Sequence, residues 1–218
     1  MNRSLSLITL VLAAGCAAGT SSPAATPAPV AAPSVRNVLP DLSHERVDYW
    51  VERFSRGDKR AEIAEAFARK PEVEAMITGE LRRRGMPEDL IYLAMAESGL
   101  NPQAHSIADA AGIWQLVPDT ARRWGLKVDD TVDERRDPQK STVAALSYLS
   151  YLYNRFGSWY LAAAAYNAGE NRIARIIESG TDADYYRVWD QLPGETRDYI
   201  PAMTALARIG RDPARYGL

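Results

Sequence analysis

The stretch LIYLAMAESGLNP, Leu90–Pro102, decides how the chain is read. Its first half is apolar all round, the mark of a helix buried on every side. Glu97 falls in the last turn, and Ser98, Gly99 and Pro102 stop the helix. Helix ends normally attract Lys, Arg or His, because the last carbonyls carry partial negative charge. A carboxylate there is pushed toward its neutral form twice, by burial and by the helix end. An acid that stays protonated near neutral pH can give a proton to a leaving oxygen, as glycosidic cleavage requires. On this helix alone the alternative stays open that Glu97 bends into solvent at a frayed end.

Working outward, helical spacing dominates. Val47, Trp50, Val51 and Phe54 form an amphipathic stripe over 43–56. Residues 58–84 are helical in composition, with Pro71 expected to break them. Gly85 then stops the run and Pro87 opens the helix of Glu97. A loop over 99–113 leads to a short helix near 118–124, with Pro118 in its first turn. After the charged loop KVDDTVDERRDP, Asp137 and Pro138 make a cap and first-turn pair for a helix from Pro138 to Phe156. Gly157 ends it, and Ser158 caps WYLAAAAY, whose alanines allow close helix approach. A helix at 171–178 ends near Gly180, and the last, near 195–209, contains Pro201, which predicts a kink or a late start. No segment alternates with period two. The expected fold is all-α, mainly helical, with a small irregular or β-like loop around 103–117.

The ends and the composition bound the rest. MNRSLSLITLVLAAGC reads as an export signal over 1–15, with a basic start, an apolar core and small residues before Cys16. AAGC is similar to a bacterial lipobox, so Cys16 is the expected lipidation site. Ala13, where Leu is commonest, departs from that pattern. Residues 16–40 are Ala/Pro/Ser-rich and bury too little apolar area to fold, which makes them a tether. The expected organisation is then a helical extension at 41–84 and a catalytic domain at 85–218. A formal charge of −2 gives no global field for nucleic acid. Two His and one Cys argue against a metal site built from those ligands, and a single Cys excludes an intrachain disulfide. No cofactor is expected.

The usual glycosidase pairs its acid with a second carboxylate. Asp109, Asp119, Glu170 and Glu195 are candidates, and none has a context that marks it as nucleophile or base. Trp114, Gln115, Tyr166, Asn167 and Tyr199 are the aromatic and amide types that suit a saccharide groove, although a buried Trp or Tyr is more often core.

Three blocks carry a resemblance: AESGLNPQAHSIADAAGIWQLVPDTARRWGL, VDERRDPQKSTVAALSYLSYLYNRFGSWYLAAAAYNAGENRI and LPGETRDYIP. In their order and spacing they resemble the lytic transglycosylase catalytic domain, which is related to goose-type lysozyme. VDERRDP and GIWQ are similar in particular to its membrane-bound D branch. The resemblance spans roughly residues 43–210. It implies cleavage of the β-1,4 bond between N-acetylmuramic acid and N-acetylglucosamine in peptidoglycan, with Glu97 as the sole acid/base. It further implies substrate contacts from Ser106, Gln115, Tyr166 and Asn167, and a Glu195/Tyr199 block whose tyrosine holds the acid. Asp109 stands where the family usually has glycine; Asp tolerates left-handed backbone, so the turn is expected to survive. Members of that branch often carry LysM repeats after the catalytic domain. None follows here up to Leu218, so the lipid tether is expected to supply anchoring. Ala17 after the lipidated Cys points to the outer membrane of a Gram-negative cell. A water-using muramidase and a non-catalytic murein-binding lipoprotein are the competing expectations.

Overall fold

The computed structural model describes residues 38, 39, 42–178 and 185–218, with the side chains of 178, 186 and 187 left out. The export signal over 1–15, Cys16, Ala17, nearly all of the tether to residue 40, and the stop at Gly180 lie outside the described residues. The fold is all-α among the described residues. Nine α-helices are described: α1 Glu45–Ser55, α2 Arg60–Arg83, α3 Ile91–Ser98, α4 Pro118–Arg123, α5 Pro138–Phe156, α6 Trp159–Ala168, α7 Glu170–Glu178, α8 Tyr185–Val188 and α9 Gly194–Arg211. Short 3-10 turns lie at Glu88–Leu90, Glu134–Arg136, Trp189–Gln191 and Pro213–Tyr216. Among the described residues there is no strand, and no helix is long and apolar enough to cross a membrane.

Two helices sit at the centre. All eight residues of α3 are buried, and so are Tyr160–Ala165 in α6. The alanine run of α6 brings it close to Ala144, Ala145 and Leu149 of α5 within one core. Every shell helix therefore needs only one apolar face. In α1 that face is Val47, Trp50 and Phe54, spaced three and four residues apart and buried. Such burial is worth roughly 1.5–3 kcal/mol per large side chain. The polar edges of α1 are tied to α9 by the Arg46–Asp198 and Arg208–Asp48 ion pairs.

The caps explain where several helices begin. Asp137 accepts from the Gln139 and Lys140 amides at 2.9 Å each, and Ser158 accepts from Leu161 at 3.5 Å. Each satisfies donors that a helix start leaves open.

Pro71 behaves differently from expectation, and of the two outcomes expected at Pro201 the late start does not occur. Pro71 does not break the 58–84 run; α2 continues through it. Pro71 is exposed, so the Phe67 carbonyl it fails to pair lies on a face that water reaches. Nor does Pro201 delay the last helix, which begins at Gly194. Pro201 is buried, and the carbonyl it leaves open, Arg197 O, accepts from Tyr185 Oη and Trp189 Nε1, both at 3.2 Å. Two side-chain donors thus replace the missing backbone donor.

The 103–117 loop holds isolated antiparallel bridges, His105 with Ala111 and Ala111 with Leu116, rather than strands. Its close packing fixes Gly112. That residue has φ +79°, and a Cβ there would come within 1.8 Å of the Arg135 carbonyl oxygen. Asp109 adopts φ +59°, so the left-handed turn is kept without glycine.

Candidate active site

Glu97 lies in the last turn of α3 and is 2% exposed. Gly99, at φ +60°, ends the helix, and its amide donates to Met95 O at 2.8 Å. The next carbonyl is satisfied from outside: Arg69 Nε donates to Gly99 O at 2.9 Å. Ser98 Oγ donates to Ile113 O at 2.8 Å and so ties the helix end to the 103–117 loop. With backbone and neighbours fixed, the Glu97 carboxyl is held inside.

Burial pushes the Glu97 carboxyl up to about 7. One interaction opposes burial: Tyr199 Oη, from the second turn of α9, donates to Glu97 Oε1 at 2.7 Å and favours the anion. The helix C-terminus acts in the same sense as burial. The phenols of Tyr166 and Tyr199 are pushed well above their ordinary range, by burial first and then by the nearby Glu97 charge. Both therefore stay neutral donors at any physiological pH.

Tyr166 and Asn167 end the alanine helix beside this acid. Tyr166 Oη donates to Trp114 O at 2.7 Å, and its ring lies 5.4 Å from that of Tyr148. Asn167 is 6% exposed; its Oδ1 accepts from Thr196 Oγ1 at 2.9 Å, while its buried Nδ2 has no protein partner. A buried amide N–H with no partner is costly unless a ligand or water takes it.

The loop residues have internal work. Ser106 Oγ accepts from the Ala110 amide at 3.0 Å and the Ala108 amide at 3.3 Å, which leaves its hydroxyl proton available. Gln115, at φ +47°, turns its amide back to donate to Gly112 O at 2.9 Å. Its Nε2 also reaches Ala104 O at 3.4 Å, so the side-chain oxygen is the group left for other contacts. Trp114 belongs to the core. It is fully buried, with Nε1 donating to Thr142 Oγ1 at 2.9 Å, and offers no face to a sugar. The fully buried Tyr199 offers none either.

The candidate second carboxylates are engaged elsewhere. Asp109 is exposed and pairs with His105 and Arg135. Asp119 is exposed beside Arg122. Glu170 is held by Arg123 at 2.9 Å and faces Arg155 at 3.7 Å. Glu195 occupies the first turn of α9 and is half-buried.

Several residues that shape the site carry little signal in the sequence. Thr196 orients Asn167. Arg135, 4% exposed inside what reads as a solvated charged loop, donates to Asp109 O at 2.5 Å and Leu116 O at 3.2 Å. It is the internal brace of the 103–117 loop. The DERRDP run does not itself distinguish Arg135 from the more exposed Arg136.

An all-helical domain with a buried acid at the end of its central helix defines the class. Residues 74–188, more than half of the chain, match the transglycosylase SLT domain, and the chain belongs to that family. It is 42% identical over 147 residues to the membrane-bound lytic murein transglycosylase D of Escherichia coli K12, a match covering 65% of this chain and 32% of that one. It is 30% identical over 132 residues to the membrane-bound lytic murein transglycosylase C of Haemophilus influenzae, covering 54% of this chain and 37% of the relative. The chain thus spans about a third of the length of these curated relatives. Among solved structures it is similar to an inactive glutamate-to-glutamine mutant of lytic transglycosylase Slt from Pseudomonas aeruginosa. That match has a TM-score of 0.54 and 25% identity, and covers 65% of this chain and 24% of the other.

Proposed function

We propose that this protein is a peptidoglycan lytic transglycosylase that cleaves the β-1,4 bond between N-acetylmuramic acid and N-acetylglucosamine without water. The observation that carries the reading is the buried carboxyl of Glu97, raised to about 7 and held by Tyr199. Family membership and relatives named as lytic murein transglycosylases support it.

In this reading neutral Glu97 protonates the oxygen of the leaving N-acetylglucosamine. The substrate's own acetamido oxygen stabilises the positive sugar carbon, so no second carboxylate is needed. The Glu97 anion, stabilised by the Tyr199 hydrogen bond, then accepts the proton of the muramic C6 hydroxyl. That oxygen closes a 1,6-anhydro ring, and the proton is back on Glu97. Asn167 Nδ2, Ser106 and the Gln115 oxygen present polar groups to the glycan, and Tyr166 lines its path. Glu195 joins Tyr199 on α9 as part of the binding block. Residues 85–218 are taken as the catalytic domain and 41–84 as a helical extension that shares its core.

The protein is further proposed to be exported, lipidated at Cys16 and held at the periplasmic face of the outer membrane, with peptidoglycan strands and the membrane as its partners. The amino-terminal sequence and the membrane-bound character in the relatives' names support this.

The test is a digest of purified murein sacculi with the fragments weighed by mass spectrometry. Anhydro-muropeptides, one water lighter than reducing fragments and absent with Glu97→Gln, are the expected result. Reducing ends would make the protein a muramidase. Binding to sacculi without release would make it a non-catalytic murein binder.

A further inference from the structure

We propose that the cleft between α7 and the segment leading into α9 binds the carboxylates of the peptide stems on the glycan strand, through Arg172 and Arg175. This rests on the murein reading above. The cleft has a volume of about 590 Å³ and is lined by Arg172, Arg175, Ile176, Gln191, Leu192 and Pro193. Helix α7 buries Ile173 and Ala174 and turns its opposite, exposed face outward. Arg172 and Arg175, three residues apart, share that face.

Charge sets this pair apart. Among the described residues neither guanidinium has a carboxylate partner; Arg175 Nε donates to the Asn171 carbonyl at 3.3 Å. Other arginines near the site are already occupied. Arg123 and Arg155 face Glu170, and Arg197 lies over the Trp189 ring at 5.4 Å. Two guanidiniums without a carboxylate partner among the described residues thus share one concavity, on a chain of net charge −2. Their planar forks match carboxylates, and Ile176, Leu192 and Pro193 beside them suit the apolar parts of a short peptide.

Position links the cleft to the acid. The hydrogen bond between Asn167 and Thr196 ties the end of α6, just before α7, to the first turn of α9, just after Pro193. Arg172 follows Asn167 by five residues, Pro193 precedes Thr196 by three, and Tyr199 comes one turn after Thr196. In the proposed binding mode a strand lying against Asn167 runs on toward this neighbouring cleft. In peptidoglycan each muramic lactyl group carries a peptide bearing free carboxylates, which a bare glycan lacks. The arginines thus select for glycan that still carries its stems.

The experiment compares the full chain with an Arg172→Gln/Arg175→Gln variant on two substrates, intact sacculi and glycan strands stripped of peptide by an amidase. The readout is the ratio of kcat/KM on the two. For exposed charge-assisted contacts the expected fall in that ratio is about fivefold, at low salt. It shrinks as salt is added, and Arg172→Lys/Arg175→Lys recovers part of it. An unchanged ratio, or equal losses on both substrates, overturns the proposal. Absence of anhydro products from the unmodified chain on either substrate would instead remove the murein reading beneath it.

Discussion

The proposed reaction asks Glu97 to stay protonated at first and asks the Tyr199 phenol to stabilise its anion later. Burial supplies the first property and the Tyr199 hydrogen bond the second. If neutral Glu97 starts the reaction, the rate falls as pH rises through about 7. Tyr199→Phe removes the bond that favours the anion, so this limb moves to higher pH. The rate drops roughly ten- to a hundredfold, because a hydrogen bond to a charged group is lost. A pH–rate profile of both proteins checks the shift. The same group also governs stability. An unfolded glutamate ionises near 4.5, whereas the folded one keeps its proton to about 7. The folded state therefore binds the extra proton between these values, and stability declines across that window by on the order of 3 kcal/mol, then levels off. Glu97→Gln abolishes the decline, so the variant matches the unmodified protein near pH 4.5 in its pH dependence and gains on it by pH 8. Denaturant melts at several pH values measure this.

At the scale of elements, α9 and the 103–117 loop position the site, and both depend on contacts made at a distance. Tyr185 and Trp189 bond the Arg197 carbonyl that Pro201 leaves open, two residues before Tyr199 in the chain. Tyr185→Phe with Trp189→Phe strips both donors, the first with its ring kept and the second with the indole cut to a phenyl ring. It is expected to destabilise the fold by about 1–3 kcal/mol, read from a urea titration. Gly112→Ala drives a methyl into the Arg135 carbonyl from a left-handed backbone, and is expected to cost more than about 3 kcal/mol and to abolish murein cleavage. These elements also mark where sequence reasoning stops. The bounds of α5 follow from Asp137, Pro138 and Gly157, because caps and stops are local chemistry. Glu97, Tyr166 and Asn167 are legible as part of ordered motifs at helix ends. Pro71 misleads, and so does the late start expected at Pro201, since the local rule against proline yields to an exposed face in one case and to two side-chain donors in the other. Arg135 and Thr196 are invisible for the same reason: their importance lies in partners 19 to 29 residues away.

For the whole molecule, one core spans the residues before and after Gly85, which the proposed function reads as extension and catalytic domain. Val47, Trp50 and Phe54 of α1 pack in the same cluster as Leu93, Met95 and Tyr199. The extension therefore supports the helix that holds the acid's partner, and Phe54→Ala is expected to cost about 3–5 kcal/mol in a thermal or urea melt although it lies far from Glu97 in sequence. The account as a whole asks this fold to keep one carboxyl protonated at neutral pH. The most direct test is a titration of that carboxyl, by infrared difference or carbon NMR spectroscopy, with Glu97→Gln to assign the signal. A midpoint near 7 is the result this account predicts. A midpoint near 4.5, the ordinary value for a solvated glutamate, would contradict it.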